Sequence, residues 1–460
     1  MACRETSPTL LAAAILISGS VMAADPINLE PGVDNTETQL MLYTDQGVVE
    51  QKVPAQLPEG QSQLSLRPDY HSWQMDSLQL WTESKRGDQY ADSISWLQPP
   101  DNREQLIAGM LGNEVEVYRN GVEAPSKGRL VYWRNGTGIL QWASGRQEVF
   151  SADSDVMIRS LDRGPLGSQR LAPPLMADFS LEKPASSVSL SYINQNLGYQ
   201  TWYQLITDSE GKGMTLIHDA LLANNSDSDY RHAAIQLASG DTGAVPQVMM
   251  ARSYAAGMAE MDNQSQRRGD LYFTAVPGHH NLPPRSRQKI RLSVIDDLKG
   301  GHYYQYRFYG QSQPGNRPVQ GHPTQMIRFT APADLPAGRV RVFEEDNNGR
   351  LFMTGESVMD QSAAGSQVLL GQGEAYTVEV ERSRLDVRQQ VNQLIVSWQL
   401  VIRNRKKEMV QLRIMDEDRD LLRVDQLKGV ELADDGALTV NLSADSEKKV
   451  FFSTVYQRKQ

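Results

Sequence analysis

Between Leu335 and Glu356 the chain spells out a β-hairpin, and this pattern limits the possible folds more than any other feature. Leu335-Pro336-Ala337-Gly338 opens it, Arg339 to Phe343 alternates charged and apolar residues, and Asn347-Asn348-Gly349 intervenes before Arg350 to Met353. Successive side chains of a strand point to opposite faces, so Val340 and Val342 fall on one side and Arg339 and Arg341 on the other. Asn348-Gly349 is placed to supply the two positive-φ positions of a type I′ turn.

Short period-two segments separated by turn residues recur along the chain. Leu40 to Tyr43, Val48 to Val53, Gln63 to Leu66 and Ser77 to Trp81 are separated by Asp45-Gln46-Gly47 and Pro58-Glu59-Gly60. Asn102 to Met110 is the clearest helix, with Asp101 as its expected cap and Gly112 as its stop. Val115 to Arg119, Gly128 to Trp133, Gly138 to Trp142 and Glu148 to Ser151 then form four strands with turns at Asn135-Gly136 and Ser144-Gly145. Later, Ile290, Leu292 and Val294 alternate with Lys289, Arg291 and Ser293. The expected fold class is all-β and multidomain, with β-sandwich-like domains, a small barrel-like insert in the N-terminal region and few helices.

The expected organisation is a signal peptide over 1–23, a linker over 24–38, and an N-terminal β region over 39–175 with the insert at about 111–160. Arg163 to Pro174, rich in Gly and Pro, marks the boundary to a middle β domain over 180–334. That domain carries a long Met-bearing loop at about 241–270, and a C-terminal β domain occupies 335–460.

Arg4, the apolar run Leu10 to Ile17 and the small-residue exit Val21-Met22-Ala23 have the layout of a secretory signal. The run is well short of the roughly 20 residues that span a bilayer. Cleavage near Ala23 would deliver a periplasmic or secreted protein that does not span the membrane. It would also remove Cys3, the single cysteine, and with it disulfides, thiol catalysis and cysteine-ligated metals. The formal net charge of −10 argues against a nucleic-acid partner, because phosphate contacts need a basic face.

Catalytic and metal signatures are weak. Glu344, Asp346, Asn348 and Gly349 match the first half of a calcium loop, but Gly355 stands where a bidentate carboxylate belongs. His279 and His280 are adjacent, so on a strand they face opposite ways and do not readily chelate one ion. His71 and His218-Asp219 have no nucleophile signature around them, and Ser62 and Ser357 lack the second glycine of a nucleophile elbow. Asp296-Asp297, Glu344-Glu345-Asp346 and Asp416-Glu417-Asp418 are carboxylate clusters expected to be solvated turns at strand ends. Met249, Met250, Met258 and Met261 offer thioethers to cuprous ion, at irregular spacing.

The segment from His302 to Tyr309 is aromatic on both faces. With His302, Tyr304, Tyr306 and Phe308 in a core, Tyr303, Arg307 and Tyr309 become the candidate binding face for a sugar or protein.

The hairpin also resembles a bacterial envelope family, domain of unknown function 4139. Further matching pieces are Trp202-Tyr203, Ala223-Asn224-Asn225-Ser226, Gln236 to Asp241, Leu282-Pro283-Pro284 and Val401-Ile402-Arg403-Asn404, in that order. The resemblance runs from about Pro184 to Tyr456, and the region before it also has counterparts. It implies an exported, largely β protein in a group partly named mucoidy inhibitors, with no defined catalytic residues. The resulting expectation is a non-catalytic envelope protein without cofactor or metal, whose partner is an envelope protein or polysaccharide. The alternatives are an envelope glycan hydrolase and a periplasmic copper handler.

Overall fold

The computed structural model describes residues 25–31, 36–83, 88–119, 121, 124–151, 156–161, 173–208, 213–240, 266–268, 271–311 and 317–457. The expected signal segment and the four loop methionines lie outside the described residues. Among those described, 33 strands accompany a single six-residue helix, so the all-β expectation holds.

The chain divides into two compact units. Unit 1 comprises 1–36, 51–70 and 79–190; unit 2 comprises 37–50, 71–78 and 191–460.

In unit 1, Leu175–Leu181 lies between Gly60–Leu66 and Ser93–Ser95, and Ile27–Leu29 runs parallel on the far side of Gly60–Leu66. Alternate residues Leu64, Leu66, Leu175, Ala177, Phe179 and Leu181 are buried. The expected barrel-like insert is instead an open five-stranded sheet, with Gln147–Ser151 and Val156–Ser160 as its two edges. The helix, Arg103–Ala108, drops Ile107 onto a core that includes Leu130, Trp133, Leu140 and Phe150. Its cap is Asn102 and not Asp101, because the Asn102 side chain accepts from the Gln105 amide at 2.9 Å. Gly109, three residues earlier than expected, closes it.

Unit 2 is built around two sandwiches that share one six-stranded sheet. That sheet runs Gln367–Glu374, Thr324–Thr330, Gly300–Phe308, Val410–Asp416, Leu438–Leu442, Glu431–Leu432. Ile327, Phe329, Val368 and Leu370 at one end pack with Tyr203, Leu205, Leu216, Val340 and Val342 of a five-stranded sheet. Tyr304, Phe308, Leu412, Ile414 and Val440 at the other pack with Val380, Trp398, Leu400 and Phe452 of the C-terminal sheet.

Two parallel pairings stitch distant segments together. Leu197–Asp208 runs beside Gly338–Glu345, and Gly300–Phe308 beside Val410–Asp416. Strands from both sides of residue 335 therefore share sheets.

The hairpin at Asn347-Asn348-Gly349 forms, but only Gly349 has positive φ, at 78°. Gly349 N donates to Asp346 O at 2.9 Å and Asp346 N to Arg350 O at 2.9 Å, so a type I turn is followed by a glycine bulge rather than a type I′ turn. The Asp346 carboxylate explains the choice: it accepts from the amides of Asn348 and Arg350 and pairs with the Arg350 guanidinium.

The segments behind the family resemblance are structural ties. Asn224, fully buried at a strand end, donates to Ser228 O, Leu282 O and Pro283 O and accepts from Ser226. Asn404 does the same with Glu408 O, Ser443 O and the Lys406 amide. Tyr203 donates to Pro336 O at 2.9 Å, which fastens the start of the hairpin to its neighbouring strand.

Candidate binding face

The residues expected to form a contact face do not all reach the surface. Tyr303 is buried at 4% exposure, because its strand is an interior one and the guanidiniums of Arg328 and Arg413 cover its ring at 5.7 and 5.8 Å. Tyr304, Gln305 and Tyr306 are buried as well, so alternation begins only at Arg307. Arg307 and the exposed Tyr309 do come together, both on Glu417, at 3.3 and 3.1 Å.

The Asp416-Glu417-Asp418 cluster is not a free turn. Asp416 accepts the Tyr456 hydroxyl and the amides of Gly310 and Asp418, while Asp418 accepts the Gln311 amide. Behind it the network continues: Thr454 donates to the Tyr456 oxygen and receives the Trp398 indole N–H, both at 2.8 Å. Arg382 lies over the rings of Phe308 and Trp398 at 4.3 and 5.3 Å. Burial raises the Asp416 carboxyl above its ordinary value despite these donors. This assembly clamps the loop after Phe308 onto the C-terminal sandwich. Its carboxylates are spent on neighbours rather than aimed at a cleft.

A better candidate is the outward side of the five-stranded sheet, whose strands run in the order Ser286–Ile295, Met214–Asn224, Leu197–Asp208, Gly338–Glu345, Leu351–Met359. Its inward residues Tyr203, Leu205, Leu216, Val340 and Val342 fill a core, so the intervening residues face out. Register then fixes the neighbours. One cross-sheet row is Arg291, Asp219, Trp202, Arg339, Val358, and a second is Val294, Ile217, Gln204, Arg341, Glu356.

Trp202 is the hub. The guanidiniums of Arg341 and Arg339 sit 4.6 and 5.3 Å from its ring centroid and share the Glu356 carboxylate, at 3.0 and 3.2 Å. The Arg341 hydrogen bond, helped by both cationic charges, holds Glu356 below the usual carboxylate range.

On the other side of Trp202, Asp219 is sealed at 1% exposure beneath Lys289 and Arg291, at 2.7 and 3.1 Å, with Gln204 at 3.4 Å. Burial alone would raise this carboxyl, but the hydrogen bonds and charges of Lys289 and Arg291 outweigh it and keep the carboxyl low. An unbroken register from Asp219 opposite Arg291 to Asn224 opposite Ser286 brings these cations to the carboxylate. A register shift just beyond, between His218 and Asp219, leaves Leu292 unpaired and breaks the expected alternation of the 286–295 strand, so Val294 emerges on the outward side with Arg291. His218, in regular alternation with Leu216 and Ala220, faces inward and stacks on Tyr203 at 4.6 Å.

A cleft of about 140 Å³ adjoins this face, lined among others by Thr44, Asp45, Gln200, Leu221 and Arg287. The opposite end of the face carries Asp208, Asp296 and Glu345. Of the remaining sequence candidates, His279 stacks on His232 at 4.2 Å and His280 bonds Pro277 O, so the adjacent pair is split as strand geometry requires. The chain matches no family model and no curated protein.

His218 gives a pH prediction. Burial pushes its imidazole down to about 4 from 6.5, against a smaller upward pull from Asp219. As pH falls, the unfolded chain takes up the proton first. The stability tied to a neutral His218 is therefore complete above about pH 6.5 and is lost progressively to about pH 4, by an amount on the order of 3 kcal/mol. Denaturant titrations across that window should show a steeper loss for the natural chain than for His218→Phe, which keeps a ring on Tyr203. Equal slopes would remove His218 as the cause.

Proposed function

We propose that the chain is an exported cell-envelope protein, akin to the domain of unknown function 4139 group, that works by binding rather than catalysis. Its contact surface is the outward sheet face centred on Trp202. The observation that carries this reading is the bracketing of Trp202 by Arg339 and Arg341. Two long cationic side chains are held in place on an exposed sheet by an indole ring and a shared carboxylate, which lowers the entropy they lose on meeting a ligand. The carboxylate clusters are engaged in turns and clamps, which favours binding over glycan hydrolysis.

The test is retention on isolated cell envelopes. Mature protein should co-sediment with them, and Arg339→Glu with Arg341→Glu should weaken that binding by about thirtyfold or more, since two guanidinium contacts each worth about 1 kcal/mol are lost and become repulsive. Equal retention of the two proteins would refute the assignment of this face.

A further inference from the structure

Resting on the binding role just proposed, we infer that the ligand is a carboxylate-bearing polysaccharide, a uronate-type chain, lying along the strands of the outward face. Two ribbons of cations flank its central strands: Arg287, Lys289 and Arg291 on one side, Arg339 and Arg341 on the other. Within each ribbon the cations recur at every second residue, about 7 Å apart. Against these five stand Asp219 and Glu356, so this half of the face is cationic on a chain whose formal net charge is −10. An anion is thus drawn to this patch and not to the protein at large.

The floor between the ribbons selects the kind of anion. It carries Gln200, Trp202, Gln204 and Leu221, which supply amide donors and acceptors beside flat apolar area. That mixture suits the hydroxyls and C–H faces of sugar rings. The floor belongs to interior strands whose backbone groups are already used in the ladder, so an acidic peptide cannot add as a further strand. Val294 and Val358, exposed apolar residues of this sheet, stand apart on its two outer strands and outside the floor, so the floor offers a folded protein no clustered apolar anchor. The cleft at Arg287 and Leu221, whose lining also includes Asp45, adjoins the floor at its Gln200 end.

The experiment titrates the mature full-length chain with oligogalacturonate, with the same oligosaccharide as its neutral methyl ester, and with single-stranded DNA, at low and high salt. The expected result is that oligogalacturonate binds most tightly and weakens with salt, and that the ester binds at least about tenfold more weakly. Arg287→Gln, Arg339→Gln and Arg341→Gln combined should lose about tenfold or more for oligogalacturonate with an unchanged thermal transition. Ester binding as well as acid, tighter DNA binding, no binding of oligogalacturonate, or an unaffected triple variant would each overturn the inference. If envelopes retain the natural chain and not the charge-reversed one while oligogalacturonate fails, the ligand class alone falls; if retention also fails, the face falls with it.

Discussion

Changing Lys289 and Arg291 together to glutamine should cost about 3 kcal/mol of stability, because it leaves the Asp219 carboxylate buried without its two cations. The exposed cations keep much of their own hydration in the native state, which places the effect near the lower end for broken buried pairs. Adding Asp219→Asn should then recover most of the loss, since a neutral amide beside Gln204 no longer needs compensation. Denaturant unfolding of the natural, double and triple variants measures both steps. A double variant as stable as the natural chain would mean that Asp219 is solvated and that the two cations are ornaments of the surface.

Gly310→Ala should be comparably severe, at about 2–3 kcal/mol. A Cβ there would overlap the Tyr456 hydroxyl and come within 2.7 Å of Asp416 Oδ2. Tyr456 is fully buried and its oxygen is bonded to Thr454 and Asp416, so it has nowhere to move without breaking that network. Tyr456→Phe alone should also destabilise, by taking one hydrogen bond each from Asp416 and Thr454, but it removes the clashing oxygen. The two changes combined should therefore cost clearly less than their sum in thermal or denaturant unfolding. Strict additivity would show that the loop and Tyr456 do not touch.

These two sites differ in how far the sequence disclosed them. Arg339, Arg341 and their alternation with Val340 and Val342 are visible at once, because strand periodicity is local. The placement of Trp202 beside them is not, since it depends on a parallel pairing across more than a hundred residues that no turn signal announces. Asp219 reads as an unremarkable neighbour of His218, because the Lys289 and Arg291 that cover it arrive from a strand far along the chain. The same limit explains Tyr303: the alternation of its own strand says nothing of Arg328 and Arg413, which arrive from the two flanking strands. The hairpin tip shows the converse. Asn348-Gly349 was legible as a turn, but the turn type was settled by the Asp346 side chain two residues earlier.

Site-resolved photocrosslinking in cells tests the binding face most directly. A photoreactive residue in place of Gln204, beside Trp202 on the outward sheet, should yield an adduct with an envelope component. The same residue in place of Leu422, exposed on the C-terminal sheet, should not. An adduct at Leu422 with none at Gln204 would contradict the account and move the contact surface to the other sandwich.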